Sequence, residues 1–241
     1  MNDAKNKSRI ILDGQEYEAD LRGGRPCYDE SRVETVSDAR YLRLYDLQYA
    51  EGRHYFDASR RTVKDLVALK SDEGFRSMLP DAVTIAVVVV CPDEPPKLLM
   101  NYEYRYPVGQ YLLSPVAGLI DPEDRETEDP LVRAAVREIQ EEIGITLKPT
   151  DEIHVINPCA FSTPGMSDES NAFLCAEIRL DDIGEVRQDG AVGTELFAGF
   201  ELIDTAEAER LFTVGRDRYG NFFSLSTWSV LGYFLWKYGK E

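Results

Sequence analysis

The sequence has no apolar run long enough for a membrane helix. Its longest, VTIAVVVVC from Val83 to Cys91, falls well short of the roughly 20 residues a bilayer demands, and its β-branched content is that of a buried strand. No apolar signal core follows the polar opening MNDAKNKSRI, so the expected location is cytoplasmic and no membrane partner is expected. Basic charge is scarce. With 27 Lys and Arg against 44 Asp and Glu the net charge is −17, which repels polyanions and makes nucleic acid a poor partner. An anionic small substrate would need a metal or local arginines to approach. Histidine is scarcer still: His54 and His154 stand apart, without partners for a triad or a zinc site, and are assigned to structure. The four cysteines, Cys27, Cys91, Cys159 and Cys175, are widely spaced with no C-x-x-C, as expected of reduced thiols acting as small hydrophobes. No internal repeat or low-complexity segment is present.

What is there suffices for a real core. The 241 residues, 43% apolar and 10% aromatic, can form one generous domain or one domain with a smaller partner. Residues 1–80 mix charge with tyrosine. In ARYLRLYDLQYAEGRHYFDASRR the alternation around Gly52 predicts a pair of strands, and RTVKDLVALKSDEGFRSML predicts a short helix and loop before Pro80. This part is expected to be a small accessory domain, with residues 81–241 as the main one. From Asp81 onward the pattern is strand-rich: a central strand over Val83–Val90, a turn at CPDEPP, a second strand KLLMNYEYRY ending at Pro107, and a further extended segment, YLLSPVAGLID. HVINPCAF, NAFLCAEIRL and LFAGFELI are later strands, followed by a helix in TAEAERLF, with Thr205 as N-cap, and an aromatic C-terminal helix. Without a regular βαβ alternation, the fold class expected is α+β.

The segment RAAVREIQEEIG poses a problem of charge. Asp129 and Pro130 make a helix start and Gly144 a stop. Val132, Ala135, Val136, Ile139 and Ile143 form an apolar stripe between them. Successive residues lie about 100° apart, so Glu138, Glu141 and Glu142 share an arc beside that stripe, at the rim of the core. One reading is a solvated face with Arg133 and Arg137 as helix partners. The other is a cation site, because clustered carboxylates at a core edge raise one another's pKa unless a cation neutralises them. Hard oxygen ligands of this kind suit Mg²⁺ or Mn²⁺.

The wider stretch GLIDPEDRETEDPLVRAAVREIQEEIGI, from Gly118 to Ile145, resembles the Nudix box, G-x5-E-x7-R-E-U-x-E-E-x-G-U with U aliphatic. Its second half is complete from Arg137 to Ile145. Its first half departs: Gly118 lies 19 positions before Arg137, about five more than the pattern has, and Asp129 stands eight before Arg137 where the pattern has glutamate. Either Asp129 or Glu128 replaces that first glutamate, and the insertion falls in the loop 124–129. The flanking YEYRYPVGQYLLSPVAGLIDP and FSTPGMSDES are similar to the segments around the box in ADP-ribose pyrophosphatases and related nucleoside-diphosphate-sugar hydrolases.

The resemblance implies a Nudix α/β/α sandwich with a mixed sheet and a small N-terminal β-containing domain. It implies Mg²⁺-dependent hydrolysis (Mn²⁺ serving as well) of the pyrophosphate bond of ADP-ribose or a related nucleoside diphosphate sugar, giving a nucleoside monophosphate and a sugar phosphate. Metal ligands carried over by resemblance are Glu138, Glu141, Glu142 and the carbonyl of Ala117, with Arg137 orienting the glutamates and Arg105, Gly118, Thr163 and Gly165 near the substrate. The general base falls on the stretch GEVRQDGAVGTELFAGFELI; Glu195 is chosen, with Glu185 and Glu169 as rivals. Tyr102, Tyr104 and Tyr106 make one face of their strand aromatic, for packing against the N-terminal domain or for stacking on a nucleobase. The small molecule is the expected partner, and the family resemblance implies a homodimer built through residues 1–80. The alternatives are a Nudix domain that has kept the fold and lost the chemistry, as a ligand sensor, and a hydrolase of another nucleotide.

Overall fold

The structure, a computed structural model, describes residues 7–12, 15–20, 29–188 and 195–239. Cys27 and residues 189–194 of the segment expected to carry the base lie outside them. The chain forms two compact units, Met1–Phe75 and Arg76–Glu241. In the first, β1 (Lys7–Leu12) and β2 (Gln15–Asp20) pair antiparallel, and β3 (Val33–Asp38), β4 (Arg43–Ala50) and β5 (Arg53–Ser59) form a three-stranded antiparallel sheet. The strands expected around Gly52 are β4 and β5. Gly52 closes their turn at φ 64°, where a residue without Cβ meets no penalty. Tyr45 and Leu47 of β4 pack on Leu66 as a small core. Two single-turn 3-10 helices, Val63–Asp65 and Val67–Leu69, and α1 (Asp72–Arg76) follow.

The second unit is built on β6 (Ala82–Val90), which is buried along nearly its whole length. That demands cover on both faces, and the alternation of side chains along a strand assigns the cover. Val83, Ile85, Val87 and Val89 belong to one core with Ala134, Ala135, Ile139 and Ile143 of α3 (Pro130–Ile143). Ala86 and Val88 belong to another with Ala208 and Leu211 of α4 (Thr205–Val214) and Val230, Leu231 and Phe234 of α5 (Leu225–Tyr238). The result is a Nudix-like α+β fold, helices on both faces of a mixed sheet.

The seven strands of that sheet include β7 (Lys97–Arg105), β8 (Gln110–Ser114), β9 (Val116–Leu119), β10 (Glu152–Phe161), β11 (Ser170–Arg179) and β12 (Phe197–Ile203). The order is β10-β11-β6-β7-β12; β11 and β6 run parallel, and the remaining pairs are antiparallel. The two strands expected on either side of the CPDEPP turn, β6 and β7, do pair, but only from Val87–Val89 to Lys97–Leu99. Beyond that the strands part, with β9 on β6 and β8 on β7. The segment YLLSPVAGLID, expected as one extended piece, is therefore two strands split at Pro115. Proline has no N–H for the ladder, so the chain changes partners there. A second difference is the cap of α4: the Asp204 carboxylate, not Thr205, accepts from the Glu207 N–H at 2.8 Å. Asp129 and Gly144 do bound α3 as expected, with Asp129 accepting from the Val132 N–H and Gly144 left-handed at φ 71°. Cys91 and Cys175 are free thiols.

Candidate metal centre

Where β6 and β7 part, α3 covers the gap. Its carboxylates are deeper than a rim. Glu138 is 4% exposed and Glu142 2%; only Glu141, its side chain about a third exposed, stands at the edge. An amphipathic helix drawn as a wheel puts all three beside the stripe, but β9 packs over the first and third. Glu142 spans the parted strands: the Asn101 amide of β7 donates to Oε2 at 2.6 Å and the Ala117 N–H of β9 donates to Oε1 at 3.0 Å. Glu138 lies against Gly118, and a Cβ there would collide with its carboxylate. A side chain at 118 would therefore have to displace the Glu138 carboxylate from its place against β9.

Arg137 organises the opposite side. Its guanidinium donates to Glu138 Oε1 (2.8 Å), Glu141 Oε2 (3.1 Å), the Leu119 carbonyl (2.7 Å) and Asp124 Oδ2 (2.9 Å). Burial works against its charge, and the carboxylates of Asp124 and Glu138 more than offset that, so its pKa is raised. Asp124, 2% exposed in the short helix α2 (Pro122–Arg125), also accepts from the Asp121 N–H. This corrects the expected replacement of the first box glutamate. Asp129 is the cap of α3, Glu128 is exposed, and the carboxylate that meets Arg137 is Asp124. It lies six positions after Gly118, where the box pattern has its glutamate, so the extra residues fall after it.

The electrostatics follow from burial. Glu138 is pushed up to about 7, chiefly by burial, with Arg137 countering and Glu141 and Glu195 adding to the rise. Glu142 is held well above the carboxylate range by burial, against the Ala117 N–H, with Glu103, Glu138 and Glu195 raising it further. Glu103 of β7 is raised by burial and by Glu195, with Arg105 opposing. Glu195 therefore lies within electrostatic reach of Glu103, Glu138 and Glu142. Glu185 is occupied elsewhere: it accepts from the Asp181 and Asp182 N–H groups and caps a 3-10 turn. Glu169 lies at the end of the turn that joins β10 to β11, where its carbonyl accepts from the Ser162 N–H.

Among the described residues, no three His, Cys, Asp or Glu side chains converge as a ready metal cage. The donor chemistry nonetheless fits a divalent cation. Each oxygen of Glu142 accepts one hydrogen bond, and carboxylate oxygens have lone pairs to spare. Mg²⁺ binds through one or two carboxylates, keeping waters and accepting substrate phosphates for the remainder.

The remaining expected residues are placed as follows. Arg105 is half-exposed and pairs with Glu103 at 2.5 Å. Thr163 and Gly165 are exposed in the turn after β10, where the Thr163 carbonyl accepts from the Met166 and Ser167 N–H groups. Tyr102 is buried against the α4–α5 side and meets Tyr219 edge-on at 5.5 Å, while Tyr104 packs on Tyr106 and Tyr111. His54 bonds Asp46, and His154 bonds Tyr233.

No protein-family model matches the chain. An uncharacterized Nudix hydrolase of Schizosaccharomyces pombe is 26% identical over 151 residues, covering 62% of this chain and 69% of its own. Over that span the chain is similar in sequence to a Nudix hydrolase. A solved ADP compounds hydrolase matches with a TM-score of 0.51 at 17% identity, over 87% of this chain and 94% of that one, which speaks for the fold. A C. elegans Ap4A hydrolase, solved as a binary complex, matches at TM-score 0.43 and 16% identity over 66% of this chain and 99% of that one.

Sequence reasoning missed Asn101, Gln188, Glu103 and Asp124. For Asp124 a signal existed, its spacing from Gly118. For Asn101 and Glu103 there was none, since only the pairing of β7 with β8 and β12 places them, and Gln188 reaches Asn101 from a loop after β11.

Proposed function

We propose that the protein is a Mg²⁺-dependent pyrophosphohydrolase that cleaves ADP-ribose or a related nucleoside diphosphate sugar to a nucleoside monophosphate and a sugar phosphate. The observation that carries this reading is the pair of buried glutamates, Glu138 and Glu142, held by β9 and by Arg137 with Glu195 in electrostatic reach. Such a pair is costly without a cation. A divalent cation bound there would screen the charge of a diphosphate and make its bound water more acidic. Glu138 and Glu142 hold the cation, with Glu141 and the Ala117 carbonyl contributing. Arg137 fixes Glu138 and Glu141 in place through charge-assisted bonds. Glu195 accepts the proton of the attacking water, and Arg105 leaves Glu103 to grip a phosphate oxygen. Gly118, Thr163 and Gly165 line the substrate. The nucleoside diphosphate sugar is favoured by the segments flanking the box.

Residues 1–80 are assigned as an accessory and dimerisation domain, which a molar mass measured by light scattering tests. The activity is tested by incubating the protein with Mg²⁺ and ADP-ribose, ADP-glucose, GDP-mannose, UDP-glucose, NADH or ATP and identifying the products. Nucleoside monophosphate plus sugar phosphate is expected; no hydrolysis of any diphosphate would overturn the reading. Glu195→Gln should lose most turnover while metal binding is kept, and that loss in Glu185→Gln instead would move the base.

A further inference from the structure

Asn101 has no exposed surface, and its amide sits between two partners. Gln188 Nε2 donates to Asn101 Oδ1 at 2.9 Å, which leaves Asn101 Nδ2 to donate to Glu142 Oε2 at 2.6 Å. The reversed amide would aim its oxygen at a carboxylate, so Glu142 sets which way Asn101 points, and Gln188, donating to the amide oxygen left over, holds it there. Gln188 is itself anchored. The neighbouring Arg187 N–H caps the Ile143 carbonyl at the end of α3 at 2.8 Å, where left-handed Gly144 leaves room for the Arg187 backbone. The helix that carries Glu142 thus also holds the strand of chain that orients it.

The donors on Glu142 are neutral. A lysine or arginine at 101 would cancel the carboxylate charge, whereas an amide and a backbone N–H fix its direction and leave its full charge for a cation. We propose that Asn101 and Gln188 are positioning residues that aim the Glu142 carboxylate at a divalent cation. The proposal rests on the metal-site reading given above.

The test is Mn²⁺ binding without substrate, followed by electron paramagnetic resonance of the free ion, with thermal unfolding of the same samples. Wild type, Asn101→Leu, Gln188→Leu and the double variant are compared. Asn101→Leu is expected to weaken Mn²⁺ binding about 10- to 100-fold, and Gln188→Leu about 3- to 10-fold with little change in unfolding temperature. Because Gln188 acts through Asn101, adding Gln188→Leu to Asn101→Leu should change the affinity no further. Wild-type affinity in Gln188→Leu, or additive losses in the double variant, would overturn the relay while leaving the metal site standing. Absence of Mn²⁺ binding by the wild type would overturn the metal site itself, and the relay with it. Should Asn101→Leu fail to fold, Gln188→Leu still decides, since residue 188 is only half-buried.

Discussion

Raising the pH on the metal-free protein should destabilise it through Glu138. The carboxyl moves from an ordinary 4.5 to about 7 in the folded state, so the folded protein holds this proton more tightly than the unfolded chain. Stability from such a group is full below the unfolded value and is lost as pH rises through the folded one. At roughly 1.4 kcal/mol per unit, the loss between about pH 4.5 and pH 7.5 is about 3 kcal/mol from Glu138 alone. Glu142, raised in the same direction, steepens the fall. The assay is urea unfolding in EDTA across this range for the wild type and for Glu138→Gln, which keeps an oxygen for Arg137 and cannot ionise. The difference between the two profiles isolates Glu138 from other titrating groups. Mg²⁺ should restore the wild type at high pH, by about 2.7 kcal/mol at a hundred times its dissociation constant, and restore the variant less. Parallel profiles in EDTA would refute the claim that Glu138 is strained by burial.

Asp124→Ala leaves the partly buried Arg137 without its aspartate and should cost about 3 kcal/mol, whereas Asp129→Ala removes a helix cap and should cost about 1 kcal/mol; urea unfolding of both checks which residue serves Arg137. Gly118→Ala forces Glu138 off β9 and should cost about 1–3 kcal/mol and weaken Mn²⁺ binding, measured by unfolding and by metal titration. Ile139→Ala, at a fully buried position beneath the sheet, should cost about 2–5 kcal/mol by urea unfolding without moving Mn²⁺ affinity.

Local chemistry made part of this protein legible in advance. Asp129, Pro130 and Gly144 bound α3 because capping depends on neighbours in the chain, and the β-branched run of β6 announces a strand buried on both faces. The clustering of Glu138, Glu141 and Glu142 follows from helical spacing alone. Spacing could not say how deep they lie. That was decided where β6 and β7 part and β9, split from β8 by Pro115, packs over the helix and buries Glu138 and Glu142 while leaving Glu141 at the edge. Nor could it bring Asn101 of β7 to the Glu142 carboxylate, 41 positions away, or Gln188 of a later loop to Asn101, 87 positions away. The sequence determined the helix and its charges; tertiary structure decided which charges lose water, because desolvation depends on what packs against a side chain and not on its neighbours along the chain.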